Sequence, residues 1–201
     1  MSCHKLRVLC LHGYAQSASK FRARTGPLRR LLKADMELVY IDAPHLSTEY
    51  AAADSLAWWN QGNTSAAEID VSLDVVSRTL KNEGPFDGVL GFSQGAGLAA
   101  ILMACCRPRL GFAILVAGFY PLDVARFEDA LAAQGVIQTR TLVVIGAADL
   151  IVAPERGHLL ASRAFAADAA TVLTHEGGHH MPSNAEWRDK YRAFLQTCIE
   201  K

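Results

Sequence analysis

Short apolar runs alternate with amphipathic stretches along this chain. Runs of about four to eight apolar residues are typical of strands covered on both faces. They fall at 6–11, 37–41, 86–92, 110–117, 141–145 and 171–174. Helical patterns fall at 67–82, 93–105, 124–134, 154–165 and 184–199. Residues 17–32 predict two helical pieces, because Thr25-Gly26-Pro27 interrupts them and proline suits the first turn of a helix rather than its interior.

This alternation predicts the α/β class, with a mostly parallel sheet covered by helices on both faces. The loops that carry function should then lie at the carboxyl ends of the strands. A length of 201 residues suits a single domain, 1–201. The segment 44–66 departs from the pattern: it is irregular and aromatic, and we expect it to form a cap or a pocket wall.

Composition narrows the choice of partners and compartment. The chain is 51% hydrophobic and 20% charged, and its formal net charge is zero, so we expect neither a nucleic acid nor an anionic membrane as partner. No apolar stretch predicts a membrane span, and the start of the chain lacks the pattern of a signal peptide. The five cysteines are odd in number and lack zinc spacing, which favours free thiols in the cytoplasm and no metal.

Gly91-Phe92-Ser93-Gln94-Gly95 is the strongest candidate for chemistry. A buried-type strand precedes it and a small-residue helix follows, so Ser93 lies at the apex of a strand–turn–helix. In that context G-x-S-x-G is typical of a nucleophile elbow, in which the flanking glycines avoid clashes across a tight turn. The pattern predicts that Ser93 is a nucleophile.

A serine needs a base, and histidine has the ordinary pKa that suits this role near neutrality. The loop after the last strand contains His179 and His180; spacing alone favours His179 only slightly. Asp149 follows the 141–145 strand and is the preferred acid, with Asp123 as the alternative. The order Ser93, Asp149, His179 is that of α/β-hydrolases.

An oxyanion formed at Ser93 needs backbone donors. The N–H of Gln94 is one candidate, and the N–H of Tyr14, in the loop after the first strand, is the second. We expect the side chain of the neighbouring His12 to be structural. Phe92 and Tyr120 are placed to line a pocket. Trp58 and Trp59 are adjacent, so one is expected to pack inward and the other to line the site.

Four motifs together resemble the FSH family of serine hydrolases, which includes the ovarian-cancer-associated hydrolase branch and fungal esterases that release polyketides. They are LHGYAQS at 11–17, YIDAPH at 40–45, GPFDGVLGFSQG at 84–95 and GGH at 177–179. The resemblance covers essentially the whole chain. It implies an α/β-hydrolase fold without cofactor, with His179 as base and Asp149 as acid. This chain departs from the family pattern at one point: the proline that commonly follows soon after the acid is displaced here to Pro154.

The expected function is therefore hydrolysis of a small-molecule carboxylic ester or thioester with an apolar acyl group. Acyl-protein thioesterases and phospholipase-like carboxylesterases also use G-F-S-Q-G but lack the D-A-P-H stretch, and they form a close alternative. A third hypothesis is that the protein is a lyase or a ligand-binding protein with the same fold. The intact set of Ser, Asp and His residues argues against a purely binding role. Chain length, ester against thioester, protein partners and oligomeric state stay open at this level.

Overall fold

A computed structural model describes residues 5–50, 52–60 and 65–199. Its main sheet contains six strands, all parallel, in the order β2-β1-β5-β6-β7-β8. These strands are β1 (Leu6–Leu11), β2 (Met36–Ile41), β5 (Gly88–Phe92), β6 (Phe112–Val116), β7 (Arg140–Gly146) and β8 (Ala170–His175). The predicted parallel sheet is confirmed, with boundaries that differ by a few residues at most.

Helices cover both faces of this sheet. Those on one face are α3 (Ala66–Asn82), α4 (Gln94–Cys105), α5 (Ala125–Gln134) and α6 (Pro154–Ala164). Those on the other are α1 (Ala18–Arg24), α2 (Gly26–Leu31) and α7 (Ala185–Ile199). The break between α1 and α2 at Thr25 is the one that the sequence predicts.

Successive strand residues supply two separate cores. In β1, Leu9 and Leu11 pack under α4, whereas Val8 and Cys10 pack with α1, α2 and α7. Because side chains alternate along a strand, a sheet covered on both faces needs apolar residues at consecutive positions. The continuous apolar runs of the sequence are thus explained by the two layers of helices.

The segment 44–66 is more ordered than predicted. It contains two short strands, β3 (His45–Leu46) and β4 (Leu56–Ala57), which pair antiparallel as a small separate sheet. The expectation of an irregular segment is wrong for these residues. Residues 51 and 61–64 of the segment lie outside the described residues.

The topology places two loops side by side. From β1 the chain moves one way to β2, and then returns past β1 to β5. The loops that follow β1 and β5 therefore meet at the point where the strand order reverses, which is where open α/β sheets bind ligands. Ser93 follows β5, so the fold brings it beside the loop that contains Tyr14.

In the part of the chain that the structure describes, no helix combines the length and apolarity needed to cross a bilayer. The cysteines at positions 10, 105, 106 and 198 are free thiols. Cys3 lies outside the described residues.

Candidate active site

Ser93 lies in a sharp turn between β5 and α4. Its φ of 54° and ψ of −116° are unusual for a residue with a side chain, a strain that costs about 1–3 kcal/mol in general. The Ser93 N–H donates to the carbonyl of Val116 on β6 at 2.9 Å, and this bond holds the turn against the sheet. Ser93 is half-buried, whereas Gln94 directly after it is buried. The backbone thus presents the Ser93 hydroxyl at the carboxyl edge of the sheet.

The turn leaves no room at Gly95. A Cβ atom at this position would overlap the carbonyl oxygens of Leu11 and His12, which belong to the end of β1 and its loop. The helix α4 therefore starts in direct contact with the loop after β1. The close approach explains why the G-x-S-x-G pattern ends in glycine here.

His179 and Asp149 form the central pair of the site. His179 Nδ1–H donates to Asp149 Oδ2 at 2.7 Å, and the two side chains are 13% and 2% exposed. The His179 ring lies 5.0 Å from the ring of Phe92, centroid to centroid. Because Phe92 precedes Ser93 in the chain, His179 is held beside the Ser93 turn. Among the described residues, His179 bonds to Asp149 and not to Ser93; such contacts often tighten only when substrate binds.

The Asp149 carboxylate is stabilised in its charged form. Burial by itself would raise its pKa, but the N–H groups of Val152 and Ile151 donate to Oδ1 at 2.9 Å each, and His179 donates to Oδ2. Together these bonds outweigh burial and hold the pKa of Asp149 below its ordinary value. The displaced Pro154 starts helix α6, which leaves residues 149–153 free to wrap around the carboxylate.

The structure separates the alternative residues from this pair. Asp123 is exposed, and no hydrogen bond joins it to His179 within the described residues. His180 is also exposed, and its ring packs against that of His175, with 4.7 Å between centroids. Asp149 and His179 are therefore the acid and the imidazole that the fold brings together.

The two predicted backbone donors lie on adjacent elements. Gln94 is the first residue of α4, so its N–H has no helical carbonyl to bond. Tyr14 lies in the loop after β1, against which the start of α4 packs through Gly95. The arrangement can direct two N–H groups toward charge that develops near Ser93.

His12 has the structural role that the sequence predicts. It is fully buried, its Nδ1–H donates to the Gly13 carbonyl at 2.8 Å, and its Nε2 accepts from the Ala43 N–H at 3.0 Å. Burial lowers the pKa of His12 below its ordinary value, and the bond to Gly13 offsets this effect only in part. His12 is therefore neutral in the folded protein near neutral pH.

A pH dependence of stability follows from His12. A histidine whose pKa is lower in the folded than in the unfolded protein binds more protons when unfolded. The free energy of unfolding should then fall as the pH drops below about 6.5, the pKa of an unfolded histidine, by up to about 1.4 kcal/mol per pH unit for this group. Urea unfolding between pH 8 and pH 5 measures the slope.

The variant His12→Gln tests the assignment, because its Oε1 can accept from Ala43 without titrating. Its slope below pH 6.5 should be shallower than that of the wild type. His158→Gln, at an exposed position on α6, controls for the loss of a histidine as such. An unchanged slope in His12→Gln would contradict the assignment.

A cavity of about 250 Å³ adjoins the proposed base. Phe92, one of the predicted pocket residues, lines it, and its ring stacks on that of Phe21 with 6.0 Å between centroids. The other lining residues are Arg24, Thr25, His179, His180 and Met181. Sequence reasoning missed Phe21 and Met181, which belong to α1 and to the loop before α7 and reach the cavity only through the tertiary fold.

The other three predicted pocket residues do not line this cavity and belong to the hydrophobic core instead. Tyr120 is 1% exposed and packs against Phe127, and Trp58 is fully buried. Trp59 is 5% exposed, packs against Phe119, and shares one hydrophobic cluster with Trp58. The expectation that only one tryptophan packs inward relied on strand alternation, but β4 ends at Ala57, so that rule does not apply to them.

Sequence reasoning also missed the side chain of Gln94. Its amide is buried and bonds to the backbone on both sides of the Trp58–Trp59 peptide. The signal was present: a glutamine inside an otherwise small and apolar helix start must find buried partners. Within residues 5–50, 52–60 and 65–199, no cluster of three or more His, Cys, Asp or Glu side chains could hold a metal ion.

The sequence is similar to those of known serine hydrolases and esterases. The sequence model of the family described as serine hydrolase (FSH1) matches residues 1–191. Esterase OVCA2 of Danio rerio is 36% identical over 231 residues, covering 98% of this chain and 99% of that protein. Esterase OVCA2 of Homo sapiens is 35% identical over 226 residues, with 97% of each chain covered.

Solved structures show the same fold. Zea mays acyl-protein thioesterase 2 aligns with a TM-score of 0.72 and 20% identity, covering 97% of this chain and 94% of that one. A carboxylesterase from Mesorhizobium loti aligns with a TM-score of 0.67 and 20% identity, covering 97% and 90%. The fold is that of α/β-hydrolase esterases and thioesterases, as the sequence predicts.

Proposed function

The chain belongs to the FSH1 family of serine hydrolases, and from this membership we propose that its ester or thioester hydrolysis runs through Ser93, His179 and Asp149. One observation carries the proposal. The 2.7 Å bond from His179 to Asp149 lies beside a serine in a strained turn at the start of a helix. Nucleophile, base and acid come from the carboxyl ends of three different strands, β5, β8 and β7.

In the first half of the reaction, His179 Nε2 accepts the proton of Ser93 Oγ while Oγ attacks the acyl carbonyl carbon. Asp149 keeps the proton of Nδ1 in place and stabilises the imidazolium that forms. The bond from the acyl carbon to the leaving oxygen or sulfur then breaks, and His179 gives its proton to the leaving group. The acyl group stays on Ser93 as an ester.

In the second half, a water molecule takes the place of Ser93 Oγ as nucleophile. His179 accepts its proton, the acyl–Ser93 bond breaks, and the proton returns to Oγ. In both halves the carbonyl oxygen becomes negative, and we assign its stabilisation to the N–H groups of Gln94 and Tyr14. The free position of Gln94 at the start of α4 supports this assignment, because a helix N-terminus favours an anion.

The substrate class follows from the cavity beside His179. Phe21, Phe92 and Met181 give it an apolar lining, and a volume of about 250 Å³ suits a compact acyl group. Leu150 and Ile151, directly after Asp149, are 98% and 72% exposed and add apolar surface next to the acid. We therefore propose a small-molecule ester or thioester with an apolar acyl chain, and no cofactor.

A panel of aryl esters and acyl thioesters of increasing chain length tests this substrate class. Met181→Ala should enlarge the cavity and shift the optimum of kcat/KM toward longer chains by about two carbon atoms, since the cavity gains roughly the volume of the side-chain atoms removed. The matched control is Ile199→Ala, which removes an exposed aliphatic side chain at the end of α7. Identical chain-length profiles in wild type and Met181→Ala would exclude this cavity as the acyl site.

We also propose that residues 1–201 form a single domain located in the cytoplasm. One continuous sheet runs from β1 to β8, and helix α7 packs against it, which supports a single domain. Four free thiols are the expected state of cysteines in a reducing compartment.

A further inference from the structure

Residues 56–60, here named the brace, contact both the loop after β1 and the start of α4, which contain the two proposed oxyanion donors. On one side the brace binds the loop after β1. The Leu56 N–H donates to the carbonyl of Gln16 at 2.7 Å, and the Trp58 indole Nε1–H donates to the carbonyl of His12 at 2.8 Å. These two bonds bracket the residues between His12 and Gln16, among them Tyr14.

On its other side the brace binds the residue directly after the proposed nucleophile. The Trp58 N–H donates to Gln94 Oε1 at 3.0 Å, and Gln94 Nε2–H donates to the Trp59 carbonyl at 2.6 Å. Gln94 therefore has two separate roles in this site. Its backbone N–H is one of the two proposed oxyanion donors, and its side chain forms hydrogen bonds with the brace.

The hydrogen bonds that join Gln94, Trp58 and His12 are buried. Trp58 and His12 are fully buried and Gln94 is 2% exposed, so the loss of one bond would leave a buried polar group without its partner, which is costly. The Trp58 carbonyl accepts from Ser72 Oγ at 2.5 Å, which anchors the brace to helix α3. The His12 ring lies 5.1 Å from the Trp58 ring and packs on it. A continuous set of buried bonds thus runs from Gln94 through Trp58 to His12.

We propose that the Trp58 indole and the Gln94 side-chain amide are positioning residues, which hold the two oxyanion donors at one fixed separation. The inference rests on the proposed function, in which the donors are the N–H groups of Gln94 and Tyr14. Donors that act on developing charge lose their effect when they move, because they are useful only if preorganised. Neither side chain needs to touch the substrate for this effect.

The test uses the two adjacent tryptophans as a matched pair. Trp58→Phe removes the Nε1–H bond to His12 and keeps an aromatic ring in place. Trp59→Phe removes a similar volume from the same hydrophobic cluster without removing a bond to the loop after β1. A loss of packing alone would affect both variants alike, whereas loss of donor position would affect only Trp58→Phe.

Two inhibitors separate donor position from general binding. An alkyl trifluoromethyl ketone adds Ser93 Oγ at its carbonyl carbon, so that its oxygen becomes an oxyanion and the serine proton passes to His179. The alkyl alcohol of the same chain length binds without forming an oxyanion. Titration with a fluorophosphonate counts the competent sites, so every rate is expressed per folded site even if a variant is less stable.

In Trp58→Phe, we expect kcat/KM to fall about tenfold to a hundredfold, with KM little changed, since a displaced donor loses part of the effect of a deleted one. The Ki of the ketone should rise by the same factor and the Ki of the alcohol should stay within about twofold. Gln94→Met removes the two bonds from the Gln94 side chain to the brace and should cause the same changes in kcat/KM and in the two Ki values. In Trp59→Phe the ratio of the two Ki values should equal that of the wild type.

An unchanged ketone Ki in both Trp58→Phe and Gln94→Met would overturn the inference, and so would an equal shift in Trp59→Phe. Failure of the proposed function looks different. In that case the wild type itself hydrolyses no ester or thioester and the ketone does not bind, so the inference falls with the function.

Discussion

Ser93→Ala is expected to lower kcat by a factor of about a thousand or more, because the variant has no nucleophile and any residual rate comes from binding and oxyanion stabilisation alone. KM should change little, since the alanine keeps the turn and the apolar cavity. The measurement is hydrolysis of the best ester of the chain-length panel. Labelling by an alkyl fluorophosphonate, located by peptide mass spectrometry, should reach Ser93 in the wild type and be lost in the variant.

The control for Ser93→Ala is Ser162→Ala, at an exposed position on α6, which should retain full activity and labelling.

His179→Ala should lower kcat by a factor comparable to that of Ser93→Ala. The double variant Ser93→Ala/His179→Ala should be scarcely slower than either single variant, because the residues act as a unit. Multiplication of the two single losses in the double variant would contradict a shared mechanism. Most of the activity surviving in Ser93→Ala would remove Ser93 from the chemistry altogether.

Gly95→Ala is expected to destabilise the fold by about 3 kcal/mol or more, at the upper end of what overpacking costs. The added Cβ would overlap the carbonyl oxygens of Leu11 and His12, which are backbone atoms and cannot turn aside as a flexible side chain can. Accommodation would require α4 to move away from β1, and the donors of Gln94 and Tyr14 would separate. Chemical denaturation measures the stability, and the ester assay measures the activity of the fraction that folds.

Gly26→Ala is the matched control for that substitution. A Cβ at Gly26 would lie no closer than 3.7 Å to any neighbour, and that neighbour is the flexible end of Arg30. Pro27 disfavours a helical backbone at a preceding residue that has a Cβ, so we expect Gly26→Ala to be slightly less stable than the wild type, by much less than Gly95→Ala. Equal stabilities for the two variants would show that the approach of α4 to β1 is looser than the structure indicates.

Apolar runs, amphipathic stretches and the break before Pro27 predicted the strands of the main sheet and the helices of the described residues to within a few residues, but not the strand order. The reason is that a parallel sheet with helices on both faces requires continuous apolar runs in its strands, and those runs are local in the sequence. The short strands β3 and β4 were missed for the opposite reason. Two residues each are too few for a period, and their pairing depends on a partner about ten residues away.

The candidate active site shows the same contrast between local motifs, which the sequence reveals, and long-range contacts, which it does not. Ser93 could be predicted as a candidate nucleophile because a nucleophile elbow is a local motif, in which the strand, the turn and the helix are consecutive. Asp149 and Asp123 could be separated only by which carboxylate accepts the hydrogen bond from His179. That bond joins Asp149 to a residue 30 positions later in the chain. Asp149 reaches His179 because β7 lies beside β8 and because residues 149–153 wrap around the carboxylate.

The sequence by itself determined the class of fold, the family and the serine that we expect to react, because each of these is written in consecutive residues. Only the tertiary structure decided what the aromatic segment does. Trp58 and Trp59 are large and apolar, which is compatible with a pocket wall and with a core alike. Their burial, and the bonds of Trp58 to His12 and Gln94, join parts of the chain that lie 36 to 46 residues away. Contacts over such distances depend on how α4, β1 and the brace pack together, and no local pattern records that.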